Sequence, residues 1–311
     1  MSDRIAQDLN GDSLTELLRG LDGWPWPKAD LRVTRIQAGF TNVNWMLEID
    51  GQRHFLKVPG AGTEAYIERT ESHQGAMAAF EAGIGPEVLY FEPRSGIEVS
   101  SFLEGYSSLL DSQLRDPGVI ESIAGIYRQL HSRPLFSNTR TVFDMIDGHL
   151  EHLAEIGRPL RDYQSDVVRR WLPIQRRYLD AGIDLVPGHN DMLTANYMVA
   201  DGRPMKLVDY DFAANTDRWY ELGGVFALSN LEPSYKRQAL LAYLGEEPSP
   251  GVLARVHLSS IATYVTWGLW ALVNAGTRES DTDYEKYGAG NLIAAAWALD
   301  LDETEAALLA L

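Results

Sequence analysis

Cysteine is absent from the 311-residue chain, which excludes disulfides, thiolate nucleophiles and Cys-ligated zinc or iron–sulfur centres. Basic residues are scarce: 27 Lys plus Arg stand against 44 Asp plus Glu, a formal net charge of −17. Duplex nucleic acid must be met by a basic face, which this chain would have to build against its own field, so no nucleic-acid partner is expected. The same field attracts small cations. A clean membrane-spanning run is also missing. Residues Val256 to Thr277 hold no Asp, Glu, Lys or Arg, but His257, Ser259, Ser260, Thr263, Thr266 and Asn274 interrupt them. That mix predicts a buried helix and no membrane insertion. The opening Met1-Ser2-Asp3-Arg4 lacks the basic-then-apolar pattern of a secretory leader, so a cytoplasmic protein is expected. Internal repeats and low-complexity linkers are not seen, and the sequence says nothing about oligomeric state.

What is present is a packable composition, with 45% hydrophobic residues and 8 Trp, 14 Tyr and 9 Phe, far from that of a disordered chain. The length suits two domains or lobes. After a short amphipathic start at Ser13–Leu18, Val43, Trp45, Leu47 and Ile49 alternate with polar neighbours as in a half-buried strand. Asp50-Gly51 is a two-residue turn signal, and Arg53 to Val58 returns as the partner strand. Helical spacing over Thr63–Ala82 stops at Gly83, and Glu87–Phe91 with Gly96–Phe102 predicts a further hairpin. Beyond Glu104-Gly105 the pattern becomes helical: Pro117–His131, Val142–Ile156, Leu160–Ala181, then from about Arg218 to the end. Short β-type runs at Leu185-Val186, Tyr197–Val199 and Lys206–Val208 interrupt it. The expected architecture is α+β and two-lobed. Residues 1–104 form a small antiparallel sheet with one helix, and residues 105–311 form a larger, mostly helical lobe.

The segment Gly188-His189-Asn190-Asp191-Met192-Leu193-Thr194-Ala195-Asn196 has the form H-x-D-x-x-x-x-N, and Asp209 follows Asn196 after the apolar pair Leu207-Val208. Phosphoryl transfer needs few covalent participants but strict placement. One carboxylate must take the proton of the acceptor hydroxyl, and oxygen donors must hold Mg²⁺ against the phosphates. Asp191 fits the base, and Asn196 and Asp209 fit the metal ligands. Asp and Asn also populate ordinary turns, so the spacing and the strand before Asp209 carry the reading. Upstream, Gln37-Ala38-Gly39-Phe40-Thr41-Asn42 lies between strands, where backbone N–H groups can face phosphates. Lys57 ends a strand, where its ammonium could reach them.

The order Gly39 loop, strand Lys57, helix, Asp191 with Asn196, then Asp209 resembles the eukaryotic-type kinase plan. Several stretches look like the choline/ethanolamine kinase family within the aminoglycoside-phosphotransferase-like group: Thr41-Asn42, Gly60–Glu64, Gly83-Ile84-Gly85-Pro86-Glu87-Val88-Leu89-Tyr90-Phe91, His189–Asn196, Asp209-Tyr210-Asp211-Phe212-Ala213, and Thr266-Trp267-Gly268-Leu269-Trp270. The resemblance runs from about residue 30 to 295. No A-P-E run follows Asp209, which separates the chain from protein kinases.

The resemblance implies a two-lobed protein-kinase-like fold and an ATP- and Mg²⁺-dependent kinase phosphorylating choline or ethanolamine. Gly39, Thr41, Asn42 and Lys57 would contact ATP, Asp191 would be the base, and Asn196 and Asp209 would bind Mg²⁺. Asp211, where the family usually has Glu, would be a further acidic group at the substrate. Glu221 would brace the catalytic loop. Trp267 and Trp270, three apart on a helix, are either core packing or two walls of an aromatic cage for a quaternary ammonium, with Tyr284 and Tyr287 as further walls. One departure stands out: the family glutamate that pairs with the strand lysine falls on Ser72. Either the helix slips to present Glu71, or Glu68 leans in, or Lys57 lacks that partner. Two other readings remain open. One is a related phosphotransferase for an aminoglycoside, a thiamine-like cation or an amino sugar; the other is a ligand-binding pseudokinase. A hydrolase using His189 is disfavoured by the lack of a Gly-x-Ser-x-Gly turn.

Overall fold

The computed structural model describes residues 11–37, 42–60, 62–65, 67–229, 231–278 and 282–311. Two compact units account for the chain: Met1–Ser108 with Asn196–Ala213, and Leu109–Ala195 with Ala214–Leu311. In chain order the elements begin with α1 (Gly11–Arg19), β1 (Leu31–Ile36), β2 (Asn42–Ile49), β3 (Gln52–Pro59), α2 (Arg69–Glu81), β4 (Val88–Phe91), β5 (Glu98–Ser101) and β6 (Ser107–Ser108). There follow α3 (Pro117–His131), α4 (Val142–Glu155), α5 (Asp162–Asp180), β7 (Leu185–Gly188), β8 (Tyr197–Val199), β9 (Lys206–Leu207) and β10 (Ala214–Asp217). The chain closes with α6 (Arg218–Leu228), α7 (Pro233–Leu244), α8 (Pro250–Thr277), α9 (Tyr284–Leu299) and α10 (Asp302–Ala310).

The first unit is organised by an antiparallel sheet of order β1-β2-β3-β5-β4. The alternation read in β2 is the buried pattern, with Trp45, Leu47 and Ile49 all in the core. Leu56 and Val58 of β3 join them against Leu14 and Leu18 of α1. Because successive strand side chains point to opposite faces, Lys57 between those two leaves the α1 side for the other face, across from Glu98 of β5. The later segment Asn196–Ala213 groups with this unit: β8 pairs with β6 on one side and β9 on the other, and Leu207 N–H donates to Ile84 C=O at 2.8 Å.

Strand β6, the start of α2 and strand β10 differ from the sequence reading. The helix expected over Thr63–Ala82 is interrupted, with a single 3₁₀ turn at Thr63–Ala65 and α2 beginning only at Arg69. Glu68 is extended there (φ −81°, ψ 115°), and Ile67 is buried in the gap at 2% exposure. Strand β10 was not expected, because Ala-Asn-Thr-Asp has no apolar alternation. It forms by pairing with β7, and its Asn215 side chain is bonded: it accepts from Phe136 N–H at 2.7 Å and donates to Phe136 C=O at 3.0 Å.

The second unit packs its helices around α8, which glycines allow neighbours to approach. A Cβ on Gly223 of α6 would lie 2.8 Å from Val256 O, and one on Gly268 would lie 2.6 Å from Leu292 Cγ of α9. Among the described residues α8 is the one helix long and apolar enough to cross a membrane, and 78% of its most apolar window is buried inside the protein. It is a core helix, as its interspersed Ser, Thr and Asn residues predict.

Candidate active site

Lys57 is 8% exposed, an expensive place for an ammonium unless it is paired. Its Nζ donates to Asp211 Oδ1 at 2.9 Å and to Ser72 Oγ at 3.1 Å. Asp211, 5% exposed, also accepts from Ser72 Oγ at 3.2 Å and, through Oδ2, from Asn42 Nδ2 at 2.7 Å. Burial alone would lower the Lys57 ammonium, but the Asp211 carboxylate, with Glu98 and Asp209 behind it, raises it above its ordinary value. Burial would conversely raise the Asp211 carboxyl. The Lys57 charge, then the hydrogen bonds from Lys57, Asn42 and Ser72, hold it below the usual range. Lys57 therefore has a carboxylate partner, but not one from α2: Glu68 is exposed, the helix keeps Ser72 facing the lysine, and Asp211 supplies the charge.

Asn196 is buried in the 3₁₀ turn Thr194–Asn196, and its carbonyl accepts from Val208 N–H at 3.0 Å, which holds it beside the strand that ends before Asp209. Asp209 has φ 67°, in the left-handed region that non-glycine residues seldom occupy. Such backbone clusters at functional sites. The donor set is an amide and a carboxylate oxygen, the hard type Mg²⁺ takes, and Mg²⁺ is usually held by one or two carboxylates plus substrate phosphates. Among the described residues no cluster of three His, Cys, Asp or Glu forms a closed cage. The residues present fit Mg²⁺ held jointly with phosphates.

Asp191 belongs to the second unit and is 7% exposed. The loop before it is braced from beneath. Glu221, fully buried on α6, accepts with Oε1 from the backbone N–H groups of His189 and Asn190, both at 2.7 Å. Its Oε2 lies 2.7 Å from His131 Nε2, and His131 Nδ1 lies 2.8 Å from the Tyr243 hydroxyl. Asn190 is left-handed at φ 65°. Asp191 N–H donates to His189 Nδ1 at 3.2 Å, so that ring nitrogen is the acceptor and the imidazole is tied to the loop backbone.

Trp267 and Trp270 meet edge to face at 5.6 Å, and Trp270 meets Tyr284 at 5.5 Å and Tyr287 at 6.3 Å in the same geometry. Trp267 is buried and Trp270 half-buried. Tyr287 keeps 37% of its surface exposed, yet its hydroxyl is pushed up to about 12, by burial first and then by the Asp191 carboxylate. The Tyr220 hydroxyl is likewise raised, by burial first and then by the Asp191 carboxylate. The aromatic cluster and Asp191 thus stand together within one unit.

Of the residues singled out in the sequence, Lys57, Asn42, Asn196, Asp209 and Asp211 lie in the first unit, and Asp191, Trp267, Trp270 and Tyr287 in the second. Gly39 and Thr41 lie outside the described residues. Asp211, read from the sequence as a further acidic group at the substrate, accepts hydrogen bonds from Lys57 and Asn42. Sequence reasoning missed Tyr220, His131 and Tyr243; Tyr220 precedes the Glu221 already singled out, which was the available signal.

A sheet carrying a buried, carboxylate-paired lysine, with a mostly helical unit that braces an H-x-D loop, defines a protein of kinase-like fold. Residues 32–255 match the model of the phosphotransferase enzyme family, and the chain belongs to that family. It is a phosphotransferase. Protein LicA of Haemophilus influenzae is 23% identical over 256 residues, covering 79% of this chain and 74% of that one. The crystal structure of a choline/ethanolamine kinase family protein from Mesorhizobium loti superposes with a TM-score of 0.82 at 24% identity, covering 96% of this chain and 98% of that one. Choline kinase LicA from Streptococcus pneumoniae gives a TM-score of 0.73 at 21% identity, covering 86% and 93%.

Proposed function

We propose that the chain transfers the γ-phosphoryl group of ATP to the hydroxyl of a small cationic amino alcohol, with choline the leading acceptor and ethanolamine next. The observation that carries this reading is the aromatic cluster Trp267, Trp270, Tyr284 and Tyr287, whose Tyr287 hydroxyl feels the Asp191 carboxylate. A quaternary ammonium has no N–H to donate, so ring faces and a nearby negative charge are what recognise it. The names of the relatives point the same way: choline kinase LicA and a choline/ethanolamine kinase family protein.

In this reading Asp191 orients the acceptor hydroxyl and accepts its proton as the oxygen bonds to the γ-phosphorus. The bond from that phosphorus to the bridging oxygen breaks, and ADP leaves with the electron pair. The Lys57 ammonium, held by Asp211, faces the nucleotide phosphates, with Asn42 on the same carboxylate. Asn196 and Asp209 would hold Mg²⁺, which when bound offsets phosphate charge. An ATP-dependent reaction fits a cytoplasmic setting.

The test is ADP release with ATP and Mg²⁺ across choline, ethanolamine, thiamine, an aminoglycoside and no acceptor, run on the wild type and on Trp270→Ala. Choline-dependent release, with phosphocholine as product and a KM for choline about tenfold higher in Trp270→Ala, is expected from a lost cation–π wall. Turnover only with thiamine or the aminoglycoside would overturn the acceptor assignment. An unchanged KM would return Trp270 to the core.

A further inference from the structure

The lysine of a nucleotide-binding sheet must be aimed, because a displaced ammonium loses most of its value to the phosphates. In this chain the α2 position facing Lys57 carries a hydroxyl, Ser72, which accepts from the lysine and donates to Asp211. Asp211 spends both oxygens inside the unit, Oδ1 on Lys57 and Ser72, Oδ2 on Asn42 at the start of β2. One turn further along α2, a Cβ on Gly75 would lie 2.5 Å from Ala213 Cβ and 3.1 Å from the Tyr210 ring. Helix α2 and the segment after Asp209 are therefore in direct contact, and small residues at 72 and 75 permit it.

We propose that Asp211 is the positioning residue of Lys57, and that Ser72 and Gly75 are the two small α2 residues that make room for it. This deepens the reading above and rests on Lys57 being a nucleotide-phosphate contact. A direct consequence follows for the chain's wiring. Lys57 and Asn42 share one carboxylate with the segment that carries Asp209, so α2 supplies a hydroxyl and space where a carboxylate would be expected. A glutamate at 72 would bring a second carboxylate against Asp211 with one ammonium between them, a like-charge pair in a buried place.

The experiment measures equilibrium binding of ATP by calorimetry, with thermal unfolding alongside, on the full chain and four variants: Lys57→Ala, Asp211→Asn, Ser72→Glu, and Ser72→Glu combined with Asp211→Asn. Lys57→Ala serves as the reference for the reading itself. If it binds ATP as the wild type does, Lys57 is no phosphate contact and the proposal falls with the reading. If Lys57→Ala weakens binding about tenfold or more, the lysine assignment holds and the remaining variants decide the rest. Asp211→Asn is then expected to weaken ATP to nearly the same degree and Ser72→Glu alone to weaken it too. The double variant, with its carboxylate moved to the helix, is expected to regain at least about half of the loss on a logarithmic scale. Asp211→Asn binding ATP like the wild type, or a folded double variant no better than Lys57→Ala, overturns the proposal. Should Asp211→Asn fail to fold, the double variant against wild type and Lys57→Ala still decides between the two outcomes. A purely structural Asp211 would lower unfolding temperature without this exchange pattern.

Discussion

Asp191 sits in a buried loop whose neighbours are set by backbone geometry: a left-handed Asn190, an N–H bonded to His189 Nδ1, and Tyr220 and Tyr287 beside the carboxylate. An amide at this position keeps size and hydrogen bonding but cannot accept the acceptor's proton. Asp191→Asn is therefore expected to lower kcat by about 10²–10⁴-fold, with ATP binding within a factor of about two. Steady-state rates beside ATP calorimetry check both halves, and near-wild-type turnover would remove Asp191 as the base. At this scale the sequence was informative where chemistry is local. Asp191 lies in a loop, Asn196 in a 3₁₀ turn and Asp209 just beyond a short strand, all features set by nearby residues. The partner of Lys57 was hidden because Asp211 lies 154 positions away in the sequence.

At the scale of elements, α6 is the brace. Its N-terminus is capped by Asp217, which accepts from Trp219 N–H at 2.9 Å, and its Glu221 reaches the loop before Asp191. Removing that carboxylate leaves two buried backbone N–H groups and His131 without their acceptor. Glu221→Ala should cost about 3–5 kcal/mol by urea unfolding, because each stranded buried donor costs about 1–3 kcal/mol. Glu221→Gln keeps an oxygen for the two N–H groups and should retain most of the stability. Equal midpoints for Glu221→Ala and wild type would show that the brace adds nothing to stability. Elements with strong periodicity, such as β2 and α3, stand where the sequence placed them, because one face of each is apolar and the other is not. The start of α2 and the whole of β10 did not follow. The former turns on the burial of Ile67, and the latter on polar side chains finding partners, such as Asn215 with the Phe136 backbone.

Across the whole molecule, the buried Lys57–Asp211 pair links stability to pH at both ends. Asp211 titrates lower in the folded state than the unfolded carboxyl value of about 4. Its contribution is thus present above that value and lost as pH falls through the lower folded one. Lys57 titrates higher than the unfolded value of about 10.4, so its contribution is complete below that pH and is lost as pH rises through the folded value. Asp217 works against the first limb, since burial raises it and its neutral form is favoured in the fold. The informative quantity is therefore the difference between wild type and Asp211→Asn in unfolding free energy from pH 2 to 7. That difference is expected to shrink as pH falls below about 4. A gap that stays constant over this range would show that Asp211 does not carry the ionised pair.

The sequence by itself determined the order of parts: an antiparallel sheet, a lysine on its third strand, an H-x-D loop, a second aspartate after a short strand, and a helical remainder with a polar-flecked core helix. These follow from periodicities of two and 3.6 residues and from turn chemistry, all of which act over a few positions. Only the tertiary structure decided which carboxylate meets Lys57, that Asn196–Ala213 packs with the first unit, and that Trp270, Tyr284 and Tyr287 gather where Tyr287 feels Asp191. The physical reason is burial. A desolvated ammonium accepts whichever carboxylate the packing delivers, and here small residues at 72 and 75 of α2 let that carboxylate be Asp211.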